Sequence, residues 1–193
     1  FGFLKSIPRK IPGISDVKVL VIDDGSQDKT IELSKQAGAD YIISNGNNKG
    51  LAFTFQRGLN EALKLGADII VNTDADNQYN QKEISKIVQP IIERKADLVL
   101  GNRKFMSLDH MPRIKKFGNR AGTKIVSIGS GIKLDDVSSG FRAFSRETAL
   151  RLFVTATHTY THETLIQAAR NNLKIIEVPI EFKKREHGES RLI

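Results

Sequence analysis

The sequence contains no cysteine and no tryptophan, and only five prolines and two methionines among 193 residues. Without cysteine there can be no disulfide, no thiolate metal site and no cysteine nucleophile, and the chain suits a reducing compartment. Few prolines and no low-complexity stretch exclude a disordered tail or a fibrous repeat. No charge-free apolar run approaches the roughly 18 residues of a membrane span, and the first residues lack a signal peptide's apolar core. Also missing are a Gly-Lys dipeptide for a phosphate-binding loop, a complete G-x-G-x-x-G or G-x-S-x-G, and a second histidine after His162-Glu163, where Ile166 stands. The four histidines (His110, His158, His162, His187) show no ligand spacing.

What the chain has is positive charge: 30 basic against 22 acidic residues, a net of +8. Such a bias suits nucleic acid, an anionic membrane or a phosphorylated substrate. The excess is local. Seven basic residues lie between Arg103 and Lys124 against Asp109 alone, and four between Lys183 and Arg191 against Glu186 and Glu189; the remainder balances. At 39% hydrophobic residues, positions 1–193 predict one domain with a substantial core.

Apolar runs and helical periodicities alternate. Strands are predicted at Val17–Ile22, Tyr41–Ser44, Asp68–Asn72, Asp97–Gly101, Gly140–Phe144 and Lys174–Phe182. Helices are predicted from Asp28 or Thr30 to near Gly38, over Leu51–Leu65, from a capping box at Asn80 and Glu83 to about Arg94, over Arg146–Phe153 and over Thr161–Asn171. This alternation implies an α/β fold, a mostly parallel sheet with helices on both faces and ligands at the carboxyl ends of the strands.

Two such ends are acidic. Asp74-Ala75-Asp76, followed by Gln78, offers hard oxygen donors that can hold Mg²⁺ or Mn²⁺ together with substrate phosphate oxygens. A solvated helix-capping turn is the alternative for a D-x-D alone; the second acidic strand end favours a metal-diphosphate site. Asp23-Asp24-Gly25-Ser26 is either turn chemistry or a set of acceptors for a nucleotide's base or ribose.

VIDDGSQDKT (21–30), NNKGLAFTFQRGL (47–59), NTDADNQ (72–78), GNR (101–103), DVSSGFRAFSRE (136–147) and EVPIEFKKREHGESRL (177–192), in this order, resemble family 2 glycosyltransferases of the GT-A fold. Within that family the similarity is greatest to the dolichyl-phosphate mannosyltransferase and polyprenyl-phosphate glucosyltransferase branch. The resemblance implies inverting transfer of a hexose from a GDP- or UDP-sugar to polyprenyl or dolichyl phosphate. The enzyme would work at the cytoplasmic membrane face, peripheral or anchored through segments outside this sequence. Asp23, Asp24 and Ser26 would bind the nucleoside, with Lys49 beside it. Asp74, Asp76 and Gln78 would hold the metal and donor, and Arg103 and Arg185 would clamp phosphates. The family's opening strand, with its P-x-Y-N-E motif, is not in this sequence, which reads as a fragment beginning at Phe1.

Arg142 could tie the sheet to a loop or touch substrate. Glu163 stands where relatives that act on sugar hydroxyls place a base, and so marks the alternative reaction. Met111, Ile114, Phe117, Ala121, Ile125 and Ile128 recur at helical spacing among basic residues, which fits either a helix at an anionic membrane or one packing its stripe on the sheet. The resemblance assigns this stretch to the acceptor site, with Arg113, Lys115 and Lys116 as candidates for the lipid phosphate. A nucleic-acid-binding module using the basic stretch is a third reading; it leaves the acidic strand ends unexplained.

Overall fold

The computed structural model describes residues 2–107 and 113–183, without the side chains of Arg113, Lys115 and Ser130. The elements alternate as predicted: α1 (Gly2–Lys5), β1 (Leu20–Asp23), α2 (Thr30–Gln36), β2 (Tyr41–Ser44), α3 (Leu51–Lys64), β3 (Ile69–Asn72), α4 (Ile84–Ile92), β4 (Leu98–Asn102), α5 (Arg113–Ser130), β5 (Arg142–Ser145), α6 (Arg146–Arg151), α7 (Thr161–Arg170) and β6 (Ile175–Pro179).

β1 and β2 pair in parallel, with Asp23 opposite Ser44. The other strands form a sheet in the order β3-β5-β4-β6. β5 runs antiparallel between β3 and β4, placing Asn72 opposite Arg142 and Arg142 opposite Leu100, while β6 runs parallel to β4 with Asn102 opposite Pro179. β3, β4 and β6 therefore point the same way and deliver the segments after Asn72, Asn102 and Pro179 to one edge, where the chain also enters β5. That edge is the site.

Alternation along β4 explains the layering. Leu98 and Leu100 face a core made with Phe55 and Leu59 of α3, Phe144 and Leu165 of α7, whereas Val99 faces Ile84, Ile87, Val88 and Ile91 of α4. Among the described residues the two sheets are not joined. β1 pairs only with β2 and β3 only with β5, and the apolar residues Ile69, Ile70 and Val71 stay half-buried although β4 beside β5 is buried. α3 bridges the sheets, with Gly58 lying against Ile22 of β1, and Leu59 and Leu63 sharing a cluster with Ile70 of β3.

One local expectation fails. Asn80 caps a short 3₁₀ turn (Gln81–Glu83), accepting the Lys82 N–H at 3.2 Å, but Glu83 does not reach back to close a capping box. Its buried carboxylate instead accepts the Glu181 N–H at 2.7 Å and pairs with Lys86, because the chain after β6 passes alongside and supplies a donor the sequence does not reveal.

Candidate active site

The turn after β1 is organised by its own acids. Asp23, 3% exposed, accepts hydrogen bonds from Gly25 N–H (3.2 Å), Ser26 N–H (3.1 Å) and the Ser44 hydroxyl (2.8 Å). Burial alone would push its carboxyl up, but those bonds outweigh it and hold it below the ordinary range. Gly25 is required at φ 82°: a β-carbon there would lie 2.6 Å from the Asn47 backbone. Asp24 reaches across to the next loop, accepting from Asn45 Nδ2 (2.8 Å), Lys49 N–H (2.9 Å) and Gly50 N–H (3.0 Å). Its carboxyl is also lowered, since those donors outweigh burial. Of the two acids expected at the nucleoside, Asp23 is enclosed by its own turn and the half-buried Asp24 is the reachable one. The Lys49 side chain is exposed, and its backbone is what fixes the loop.

β3 ends at Asn72 and releases the D-x-D loop. The Asp74 carboxylate lies against Gly140, the residue preceding Phe141 and β5; a β-carbon on Gly140 would fall 2.9 Å from Asp74 Oδ2. Gly140 is clamped from two sides, its N–H donating to the Tyr79 hydroxyl (3.1 Å) and its carbonyl accepting from Asn72 Nδ2 (2.8 Å), which also donates to the Tyr160 hydroxyl (2.8 Å). Tyr160 stacks on Phe55 at 3.7 Å and Tyr79 on Phe141 at 5.2 Å. Burial, reinforced by the Asp74 charge, pushes the Tyr79 hydroxyl up to about 12 and raises that of Tyr160 as well, so both phenols stay neutral beside the carboxylate.

Further along the loop, Asp76 accepts the Gln78 N–H at 3.1 Å across Asn77, whose φ is 63°. Gln78 is tied to the segment after β6: its carbonyl accepts the Lys183 N–H (2.8 Å) and its amide donates to the Lys183 carbonyl (3.2 Å). Phe182 meets the Tyr79 ring edge-on at 5.1 Å. Arg185 lies outside the described residues; the segment leading to it is held against the D-x-D loop.

Arg103 is placed at this edge, but not as a free clamp. Its Nε and one terminal nitrogen grip Asp136 at 2.8 and 2.7 Å, the same nitrogen donates to the Ser138 hydroxyl at 2.7 Å, and the guanidinium lies 5.2 Å from the Phe182 ring centre. Asp136 is fully buried, so its charge requires this partner. Glu177 of β6 fixes the same turn by accepting the Asp135 and Asp136 N–H groups at 2.8 and 2.7 Å, and burial pushes its carboxyl up. Asp136, Ser138, Gly140, Tyr79, Tyr160 and Glu177 are the residues sequence reasoning assigned no role. The acid just upstream of S-G-F-R was the signal available for Asp136.

Arg142 is structural. Fully buried, it donates to the carbonyls of Ser139, Val137 and Thr161 at 2.7 to 2.9 Å and to the Thr164 hydroxyl at 2.9 Å, fastening the sheet to α7. Glu163, in the first turn of α7, accepts from Thr155 N–H (3.0 Å) and hydroxyl (2.7 Å), Ala156 N–H (3.0 Å) and Gln167 Nε2 (3.2 Å). These bonds outweigh burial and hold its carboxyl below the ordinary range. It straps the preceding loop to the helix. Among the acceptor candidates, Lys116 Nζ donates to the Met106 carbonyl at 2.9 Å. The side chains of Arg113 and Lys115 lie outside the described residues.

Among the described residues no three His, Cys, Asp or Glu side chains converge on one point. Asp74 and Asp76, two hard oxygen donors in one partly open loop, fit a Mg²⁺ or Mn²⁺ ion whose coordination is completed by phosphate oxygens and water. Residues 3–153 match the model of glycosyl transferase family 2. The chain belongs to that family.

This family 2 glycosyltransferase is 31% identical over 97% of its length to the UDP-N-acetylglucosamine–dolichyl-phosphate N-acetylglucosaminyltransferase of Methanococcus voltae, of which it covers 83%. It is likewise 31% identical over 97% of its length to the dolichyl-phosphate hexose transferase of Haloferax volcanii, of which it covers 79%. Among solved structures it resembles glucosyl-3-phosphoglycerate synthase from Mycobacterium tuberculosis in complex with Mn²⁺, UDP-glucose and phosphoglyceric acid. There the TM-score is 0.73 at 20% identity, over 97% of this chain and 66% of that one. The fold of the glycosyltransferase is therefore GT-A, with β5 as its antiparallel strand.

Proposed function

We propose that this glycosyltransferase moves a hexose, with inversion at the anomeric carbon, from a GDP- or UDP-sugar to polyprenyl or dolichyl phosphate at the cytoplasmic face of a membrane. Glu163 carries the choice of acceptor. Standing where a base for a sugar hydroxyl is expected, its carboxylate is occupied by the 155–156 loop and Gln167. A lipid phosphate is already an anion at neutral pH and needs positioning, not deprotonation. The acceptors named for the Methanococcus and Haloferax relatives favour the same reading.

Asp24 and Ser26 receive the nucleoside, with Asp23 shaping their turn from behind and Lys49 alongside. Asp74, Asp76 and Gln78 hold Mg²⁺ or Mn²⁺, which supplies positive charge to the diphosphate leaving group. A phosphate oxygen of the acceptor bonds to the anomeric carbon as the bond from that carbon to the donor's β-phosphate oxygen breaks, releasing the nucleoside diphosphate. Arginine suits the growing charge because its planar fork meets two phosphate oxygens. Arg185 is assigned that contact, while Arg103, anchored by Asp136, contributes its field beside Asp74. Arg113, Lys115 and Lys116 receive the lipid phosphate.

The test is transfer of labelled sugar from GDP- and UDP-donors into an organic-extractable, acid-labile lipid in the presence of Mg²⁺ or Mn²⁺. Asp76→Ala should abolish it. Label found only on soluble saccharide, or an active Asp76→Ala enzyme, refutes the reading.

A further inference from the structure

Tyr160 carries a hydroxyl that packing does not require. Its ring, buried at the N-cap of α7, lies flat on Phe55 of α3, with the Arg142 guanidinium 5.7 Å from its centre. Phenylalanine would fill the same space, and a buried hydroxyl is unfavourable unless it is hydrogen-bonded. The chain provides for it by ending the apolar run Ile69-Ile70-Val71 with Asn72, whose amide donates to the Tyr160 oxygen and to the Gly140 carbonyl, both at 2.8 Å. With Asn72 as the donor, the phenol keeps its own hydrogen to give. It meets Asp74 across one gap: a β-carbon on Gly140 would stand 3.3 Å from the Tyr160 hydroxyl, 2.9 Å from Asp74 Oδ2 and 3.4 Å from Oδ1. The ring is tied to the nucleoside side as well. The segment before it runs along the start of α3, where the Val154 N–H donates to Gln56 Oε1 at 2.7 Å and the Thr157 carbonyl would lie 3.7 Å from a β-carbon on Gly50. Gly50 is itself held by Asp24 through its N–H.

We propose that Tyr160 is a positioning residue for the donor's metal ion: its hydroxyl donates to the Asp74 carboxylate, and its ring holds that acid in register with the turn that receives the nucleoside. Asn72 fixes the direction of the phenol by occupying its oxygen. A nucleoside diphosphate spans both places, the nucleoside at the Asp24 turn and the diphosphate at the metal. An error in their separation therefore falls on the metal-dependent part of its binding. Groups that orient a metal's carboxylate from behind typically change metal affinity by about ten- to a hundredfold. The inference rests on the assignment of Mg²⁺ or Mn²⁺ to the D-x-D loop, and adds to that loop a residue from the other half of the chain.

The paramagnetic resonance signal of free Mn²⁺, followed as the ion is titrated into the protein with UDP or GDP present, measures the metal affinity. Calorimetric titration of the same nucleotides in chelator measures the nucleoside turn without metal. Tyr160→Phe keeps the ring and its stack and removes only the hydroxyl. Its Mn²⁺ affinity should fall about tenfold or more, with metal-free nucleotide affinity unchanged. Leu173→Ala opens the same core cluster just before β6, at the opposite edge of the sheet. It should lower the urea midpoint and leave Mn²⁺ affinity at the wild-type value. Asp76→Ala should abolish Mn²⁺ binding, which assigns the signal to the D-x-D loop. Wild-type Mn²⁺ affinity in Tyr160→Phe overturns the proposal, and so does a loss of metal-free nucleotide affinity by the same factor. An equal loss of Mn²⁺ affinity in Leu173→Ala overturns it too, since stability alone would then govern the site. A wild-type protein that binds no Mn²⁺, or an Asp76→Ala protein that binds it as well as wild type, refutes the metal assignment itself and the proposal with it.

Discussion

Gly140 leaves open the space that the Asp74 carboxylate occupies: a β-carbon there would approach Oδ2 to 2.9 Å. The S-S-G loop before β5 thus sets the position of an acid delivered by β3, nearly seventy residues earlier in the chain. Gly140→Ala forces the far end of a movable side chain, not the backbone, to yield. Stability should fall by only about 1 kcal/mol, while Mn²⁺-dependent nucleotide affinity should fall about tenfold or more. Calorimetric titration of nucleotide with and without Mn²⁺, alongside urea denaturation, separates the two.

Asp136→Asn leaves Arg103 without its countercharge and replaces one of the two oxygens that accept its hydrogen bonds by a donor amide. A loss of about 3 to 5 kcal/mol is expected, as for other buried pairs broken on one side. Urea denaturation measures it, and a loss below about 1 kcal/mol would show the pair to be no stronger than a surface one.

Glu163→Gln distinguishes strap from base. The variant keeps a side chain of the same shape but weakens the bonds to Thr155 and Ala156, so stability should fall by about 1 to 2 kcal/mol. Transfer to a lipid phosphate should stay within about threefold of wild type, since a base makes its contribution as factors of about a hundred or more. A thousandfold drop in kcat would reassign Glu163 as the base.

The turn after β1 should be acid-sensitive. Asp23 and Asp24 have carboxyls held below their ordinary range by hydrogen bonds that outweigh burial. In the window between the folded values and the ordinary carboxylate pKa of about 4, the unfolded chain binds more protons than the folded one. The stability these groups contribute is therefore present above that window and lost as pH falls through it. Denaturation midpoints between pH 7 and pH 3 should decline less steeply in Asp24→Asn than in wild type.

Much of this was legible in the sequence. The first strand was announced by a short β-branched run, V-K-V-L-V-I, stopping at an acidic cluster, and each D-rich loop was placed at a strand end. The pairing of the strands was not, because nothing in R-A-F-S says that it runs antiparallel between β3 and β4. The partner of Arg103 was hidden for the same reason: Asp136 is a neighbour only once β4 and the loop before β5 are side by side. For α5 the periodicity gave the stripe but not its direction. An apolar face on a helix reads identically whether it meets a sheet or solvent, and only the placement of Asn119, Thr123 and Val126 against the domain settles which.

The division into two sheets also sets an order of unfolding. A two-stranded ribbon is marginal alone, and β1–β2 leans on α3 and on the small cluster of Leu4, Val19 and Ala37. Its amides should exchange with solvent by openings that leave β4, buried along its length, protected. The proposed nucleoside half is thus the looser cooperative unit and the reaction edge the stiffer one. A donor that binds across both would slow exchange most in β1 and β2, acting as the fastener between two parts that, among the described residues, the backbone hydrogen-bond ladder leaves unconnected.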